Sequence, residues 1–218
     1  MKYKQKYSFD VCIDNTQAFF NMPITEEHTI YSVRKFFGVQ DGAYLYTNKA
    51  RYTDLEIETS YDKSMYLLKR IDLGASYSYN DFKENSKTHS NQPIRNMSNL
   101  SKRILESIDY DLVSKKRMNN FKFLHSRLSK LNSLEINIDN ITCPMIYPFL
   151  IKEGKELREK LISNKIFVAK YWPGILESIN SKSFESYLIN NLISLPIDQR
   201  YSIEDMKYIV KIVEEIIT

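Results

Sequence analysis

A chain of 218 residues with only five glycines has little material for loops that wrap phosphate in bare backbone, since average usage near 7% would supply about fifteen. Gly38 and Gly42 alone lie close together, in GVQDG, which is neither the dinucleotide fingerprint GxGxxG nor a Walker A loop. Glycine-built nucleotide folds are therefore excluded. Hydrophobic residues at 43% and aromatic residues at 13% exclude wholesale disorder. Lys and Arg outnumber Asp and Glu by 31 to 27, a surplus too small and scattered for a nucleic-acid or membrane footprint. No apolar run reaches the roughly 18 residues of a membrane span, and MKYKQKYSFD is too polar for a signal peptide. The expected location is the cytoplasm. Cys12 and Cys143 sit in apolar stretches without a CxxC or a nearby histidine, which predicts two small buried hydrophobes. His28, His89 and His125 share no ligand spacing, so no metal site is expected.

The pattern along the chain predicts a mixed α/β protein. FDVCI, from Phe9 to Ile13, is brief and stops at Asp14, as a buried strand does. Thr29 to Ser32 and Ala43 to Thr47 are two more strands, rich in tyrosine and β-branched residues. The helical spacing of Met65, Leu67, Leu68 and Ile71 predicts a helix over 62–73 that stops at Gly74. Residues 75–96 are polar with few aliphatics and read as a loop or crossover, so the domain boundary is expected after residue 96. Beyond it, two helices meet near Asp109. A strand over 143–151, a helix over 154–163, a strand over 166–172, a helix over 184–191, LISLPI and a last helix from Ile203 to Ile217 complete an α+β unit. Ser202 is suited to cap that last helix, with Glu204 and Asp205 in its first turn. Trp172, Tyr147 and Phe149 read as core or interface aromatics, and Lys115, Lys116 and Arg117 as a solvated helix face.

Asp14 and Lys35 are the residues with chemical potential. An acid at a strand's carboxyl end stands where open α/β sheets bind ligands. A loop lysine can form Schiff bases with carbonyl compounds, pyridoxal phosphate (PLP) included, and an acid opposite the pyridine nitrogen keeps that ring protonated. By spacing alone the commoner reading is a solvated basic pair, Arg34 and Lys35, and a turn-capping acid.

The segments around them resemble a known family. VCIDNTQAFF is similar to the acid motif of the DegT/DnrJ/StrS PLP-dependent nucleotide-sugar aminotransferases, a hydrophobic pair followed by E-D-A-A-Q/H. IYSVRKFFGVQDGAYLYT resembles the family's lysine segment, in which a lysine precedes E-G by six and seven positions; Lys35, Asp41 and Gly42 keep that offset. LISLPIDQRYSIEDMKYIVKIVEEI is similar to the closing L-P-x-x-x-x-x-S-x-E-D strand and helix. The resemblance implies part of a fold-type I PLP-transferase large domain over 1–96, followed by a small α+β C-terminal domain over 97–218. It also implies Lys35 as the Schiff-base lysine, Asp14 on the ring nitrogen and Gln17 near the ring oxygen. NQPIRNMS is similar to N-x-R-M-S, which gives Asn91 or Arg95 a role at a neighbouring subunit's cofactor phosphate. A nucleotide-linked keto sugar, an amino-acid donor and a homodimer or higher oligomer follow from the same resemblance.

Two departures accompany it. The family's phosphate-binding serine, five residues before the lysine, is Ile30 here, and Tyr31 and Ser32 are the nearest hydroxyls. Family members also carry a long stretch before the acid motif, whereas this chain reaches Asp14 at once. The expectation is therefore a truncated aminotransferase-like protein or, alternatively, a catalytically inactive remnant serving as a dimerisation or interaction module.

Overall fold

The computed structural model describes residues 10–49, 54–88, 92–139 and 141–217. It divides into two compact units, Met1–Asp109 and Tyr110–Thr218.

In the first unit, β1 (Cys12–Asp14), β2 (His28–Ser32) and β3 (Ala43–Tyr46) form a sheet in that order. β1 runs parallel to β2, with Asp14 opposite Ile30; β3 is antiparallel to β2, with Leu45 opposite Ile30. Phe9, expected to open the first strand, lies outside the described residues. The loop after β2 begins with a 3-10 turn, Val33–Lys35. Thr29 and Tyr31 point to one face of β2 and are buried; Phe19 packs edge-on against Phe37 at 4.9 Å and against Tyr31 at 6.2 Å between ring centroids. Aromatic packing thus does for this sheet face what aliphatics do elsewhere.

α1 (Met65–Leu73) and α2 (Ala75–Lys87) follow, hinged at Gly74, whose φ of 91° ends the first helix. The α2 segment is a helix where the sequence predicts a loop. Its contacts with α1 are an aromatic pair, Tyr66 and Phe82 at 5.7 Å, and an ion pair, Lys69 to Asp81 at 2.6 Å. Neither is an aliphatic stripe, so the hydrophobic periodicity does not announce it. α3 (Asn99–Glu106) starts at Ser98, whose Oγ accepts the Ser101 amide proton. Ser98 and Ser101 bind back to Asp41 in the β2–β3 loop, which fastens the start of α3 within the first unit.

The second unit pairs β4 (Ile146–Leu150) antiparallel with β5 (Leu192–Pro196) and covers them with α4 (Tyr110–Leu128), α5 (Gly154–Ser163), α6 (Phe184–Asn191) and α7 (Ile203–Ile217). Phe121, Leu124 and Leu128 of α4, Tyr147 and Phe149 of β4, Leu157 and Leu161 of α5, and Met206, Ile209 and Val213 of α7 close one core. At the start of α7, Ser202 Oγ accepts from the Asp205 amide while the Ser202 amide and hydroxyl donate to the Asp205 carboxylate, a reciprocal cap.

Three further expectations are corrected. Arg117 is buried at 2% exposure, although Lys115 and Lys116 are exposed; its guanidinium donates to Gln199 Oε1 and to the carbonyls of Pro144 and Met145. Burial lowers its pKa. Residues 166–172 form no strand beyond a single antiparallel bridge, Ala169 to Ser194. Left-handed backbone at Lys165 and Trp172 brackets the segment, and its alternation reflects Ile166 and Val168 pointing into the core. Of the core-or-interface aromatics, Tyr147 and Phe149 are in the core and Trp172, at 60% exposure, is not. Cys143 is buried, but Cys12 is exposed because β1 turns it to the uncovered face of the sheet. Among the described residues no helix is long and apolar enough to cross a membrane.

Candidate functional site

The parallel pairing of β1 and β2 brings Asp14 and Lys35 to the same end of the sheet. Asp14 closes β1, and β2 runs two residues further to Ser32 before the 3-10 turn that carries Lys35. The strand ends are set locally. Asn15 donates its amide to Ile30 O, and the chain then turns through Ala18 N to Asn15 O. Asp14 Oδ1 accepts the Thr16 amide at 2.9 Å, which makes it the turn-capping acid that its position permits. That hydrogen bond holds the Asp14 carboxyl below the usual carboxylate range. The Lys35 ammonium has no partner among the described residues, and the Asp14 and Lys35 side chains are both exposed.

Gln17 and Ser32 are half-buried nearby in sequence. The Ser32 side chain caps nothing in the turn that follows it, whereas Tyr31 is committed, its hydroxyl donating to Asn21 O at 2.8 Å. Arg34 Nε is buried without a partner among the described residues. Arg95 is engaged elsewhere, its guanidinium 3.1 Å from Glu58 and 3.6 Å from Glu56. Asn91 lies outside the described residues.

Asp41 has a role beyond its matching offset. Burial pushes its carboxyl up, yet the Ser101 hydroxyl at 2.6 Å and the Ser98 amide and hydroxyl at 2.7 Å outweigh burial and hold it below the usual range. Gly42 beside it has φ 118°, with Met97 Cε 2.6 Å from where a Cβ would stand. The lysine segment is thereby clasped to the start of α3 by its own Asp41 and Gly42. The six- and seven-residue offset from Lys35 is the sequence signal for this clasp. No group of three or more His, Cys, Asp or Glu able to hold a metal ion occurs among the described residues.

No protein-family model and no curated protein matches the sequence. Solved structures do match. A DegT DnrJ EryC1 StrS aminotransferase from Brucella abortus superposes with a TM-score of 0.62 at 13% identity, over 99% of this chain and 59% of its own. The sugar aminotransferase CalS13 from Micromonospora echinospora gives 0.59 at 10% identity, over 98% and 61%. Spr1654 from Streptococcus pneumoniae, solved in its PLP form, gives 0.60 at 16% identity, over 100% and 61%. The chain therefore has a mixed α/β fold that matches part of the DegT/DnrJ/EryC1/StrS sugar aminotransferases, and it spans about three-fifths of their length.

Proposed function

We propose that this chain belongs to the PLP-dependent sugar aminotransferases, with Lys35 as the residue that attaches the cofactor and Asp14 as the partner of its ring nitrogen. One observation carries the proposal. An exposed carboxylate and an unpartnered ammonium stand at the same end of one parallel strand pair, in a fold shared with sugar aminotransferases along nearly all of this chain.

The donor set suits the group. Asp14 is ionised at neutral pH and exposed, with Oδ1 fixed by the Thr16 amide, so its carboxylate suits holding a proton on a pyridine nitrogen. Bound PLP supplies an electron sink for reactions at an amine-bearing carbon. Lys35 Nζ supplies the attachment and the proton carrier, moving one proton on and off the substrate carbon. Ser32 offers a hydroxyl for the phosphate where Ile30 offers none, and Gln17 an amide for the ring oxygen. Asn91 completes the proposed set, and Arg95 joins it only by leaving Glu58 and Glu56. The substrates that go with this assignment are a nucleotide-linked keto sugar and an amino-acid donor, in a homodimer serving amino-sugar and surface-polysaccharide synthesis.

The test is direct. The full chain is incubated with PLP, reduced with borohydride and digested; the expected product is a pyridoxyl adduct on the Lys35 peptide, absent from Lys35→Ala and formed with weaker affinity in Asp14→Asn, which removes the charge of a charge-assisted contact. Folded protein that yields no adduct rejects the assignment. A second reading, a catalytically inactive interaction module, draws support from the exposure of both Asp14 and Lys35.

A further inference from the structure

Residues 33–42, between β2 and β3, carry Lys35 near one end and Asp41 near the other. The two ends meet. Val33 is buried, and its carbonyl accepts the Phe36 and Phe37 amides at 3.1 and 2.9 Å, which closes the turn that bears Lys35. The same Val33 lies against Gly42: its Cγ2 is 2.9 Å from where a Cβ would stand, and Met97 Cε is 2.6 Å from that point. Only a residue without a Cβ admits so close an approach. Whatever fixes Asp41 and Gly42 therefore also fixes the turn under Lys35. The partners of the Asp41 carboxylate among the described residues are one backbone amide and serine hydroxyls, with no cation: Ser98 N and Oγ at 2.7 Å and Ser101 Oγ at 2.6 Å. Ser60 Oγ stands 2.8 Å from Ser98 Oγ behind them. Ser98 caps α3 and Ser101 lies in its first turn, both buried. Several directed hydrogen bonds to one carboxylate set its distance and its orientation together.

We propose that Asp41 is a positioning residue for the Lys35 amine, tying the turn that carries it to α3 through Gly42 and Val33. Asp14 is held separately, by the pairing of β1 with β2 and the bond from the Asn15 amide to Ile30 O. The proposal rests on the cofactor reading of Lys35 and Asp14 and deepens it, because an amine and an acid that grip one ring react efficiently only while their separation is kept. In attachment, Nζ bonds to the aldehyde carbon of PLP and the carbonyl oxygen leaves as water; borohydride then reduces the C=N bond. Asp41 touches none of the reacting atoms. Its part is to keep the backbone below Lys35 from drifting.

The readout is preference among lysines, which a loss of stability alone does not redistribute. In the purified full chain, PLP followed by borohydride is expected to label Lys35 at lower PLP concentration than Lys116, an exposed lysine of α4. Asp41→Ala and Ser101→Ala cut the same bond from opposite ends. Each should raise the half-saturating PLP concentration at Lys35 and leave that at Lys116 unchanged, and the double variant should raise it no further than the larger single effect. Tyr66→Leu, at a buried position in the contact between α1 and α2, should lower the urea midpoint and keep the preference for Lys35. A preference retained in both Asp41→Ala and Ser101→Ala overturns the proposal and leaves the cofactor reading in place. So does a preference lost in Tyr66→Leu, or a double variant whose effect is the product of the two singles. If folded wild-type chain takes no label at Lys35, the cofactor reading falls and hydrogen exchange decides the positioning. Phe36 and Phe37 amides that exchange faster in Asp41→Ala and Ser101→Ala than in Tyr66→Leu uphold it, and unchanged exchange overturns it.

Discussion

Two glycines show how differently a missing side chain can matter. At Gly154 a Cβ would stand 2.3 Å from the carbonyl oxygen of Asn191 and 2.5 Å from its Cα. Backbone at the end of α6 cannot rotate away, so Gly154→Ala should destabilise the second unit by about 3 kcal/mol, read as a lower urea midpoint. At Gly42 the obstacles are side chains, Met97 Cε and Val33 Cγ2 at 2.6 and 2.9 Å, and the larger part of the penalty is the positive φ; about 2 kcal/mol is expected for Gly42→Ala. Asp41, next to it, ties stability to pH. Its folded carboxyl has a lowered pKa, so the stabilisation from Ser98 and Ser101 is complete above the unfolded value of about 4 and fades as pH falls through the folded value. Asp41→Asn should flatten that acid limb of the stability profile and lower the plateau at neutral pH. An unchanged profile would mean that the clasp contributes nothing.

At the scale of elements, the helices of the second unit were legible where an aliphatic stripe or a capping serine marked them. Gly154–Ser163 and Ile203–Ile217 fall where spacing puts them, because Leu157 and Leu161, or Met206, Ile209 and Val213, repeat at three and four, and Phe184–Asn191 starts at its Ser183 cap. Ala75–Lys87 was not legible, since Tyr66, Phe82 and an ion pair hold it, and 166–172 misled because core burial alternates there without a ladder. At the site, the strand end at Asp14 could be read, and so could the offset from Lys35 to Gly42. The hydrogen bonds that Asp41 makes to Ser98 and Ser101 could not, being separated by 57 and 60 residues. Arg117 was hidden for a similar reason: one turn of α4 places it over the carbonyls of Pro144 and Met145 and the Gln199 side chain, while Asn120 donates to the carbonyls of Ile197 and Tyr201. α4 is thus bound to the segment just before β4 and to the β5–α7 turn by polar side chains that are themselves buried. Arg117→Met leaves those carbonyls without a donor and should cost about 2 to 4 kcal/mol by urea unfolding. Arg117→Lys should recover little of it, because one ammonium cannot reproduce the planar fork.

For the whole molecule, the two units differ in how completely each satisfies its own surfaces. The second gathers its core from α4, β4, α5, β5 and α7, and all of these elements lie within Tyr110–Thr218. A unit that supplies its own core can fold alone. The first has one sheet face packed with Phe19, Phe36 and Phe37 and the other showing Ile30 and Leu45. Along its first helix, Met65, Leu68 and Ile71 are also exposed at 65%, 56% and 80%. Unsatisfied apolar surface of this kind weakens the folded state relative to a collapsed one. Expressed separately, residues 110–218 should therefore unfold in one cooperative transition with a urea m-value of roughly 1 to 2 kcal/mol/M. Val213→Ala, at a fully buried position of α7, should shift that transition by about 2 kcal/mol. Residues 1–109 should melt broadly and bind an apolar dye at neutral pH, and Leu45→Glu should reduce the dye signal without sharpening the melt. A sharp melt with no dye bound would mean that the face around Asp14 is closed by the first unit's own residues, and the open-sheet picture would have to be given up.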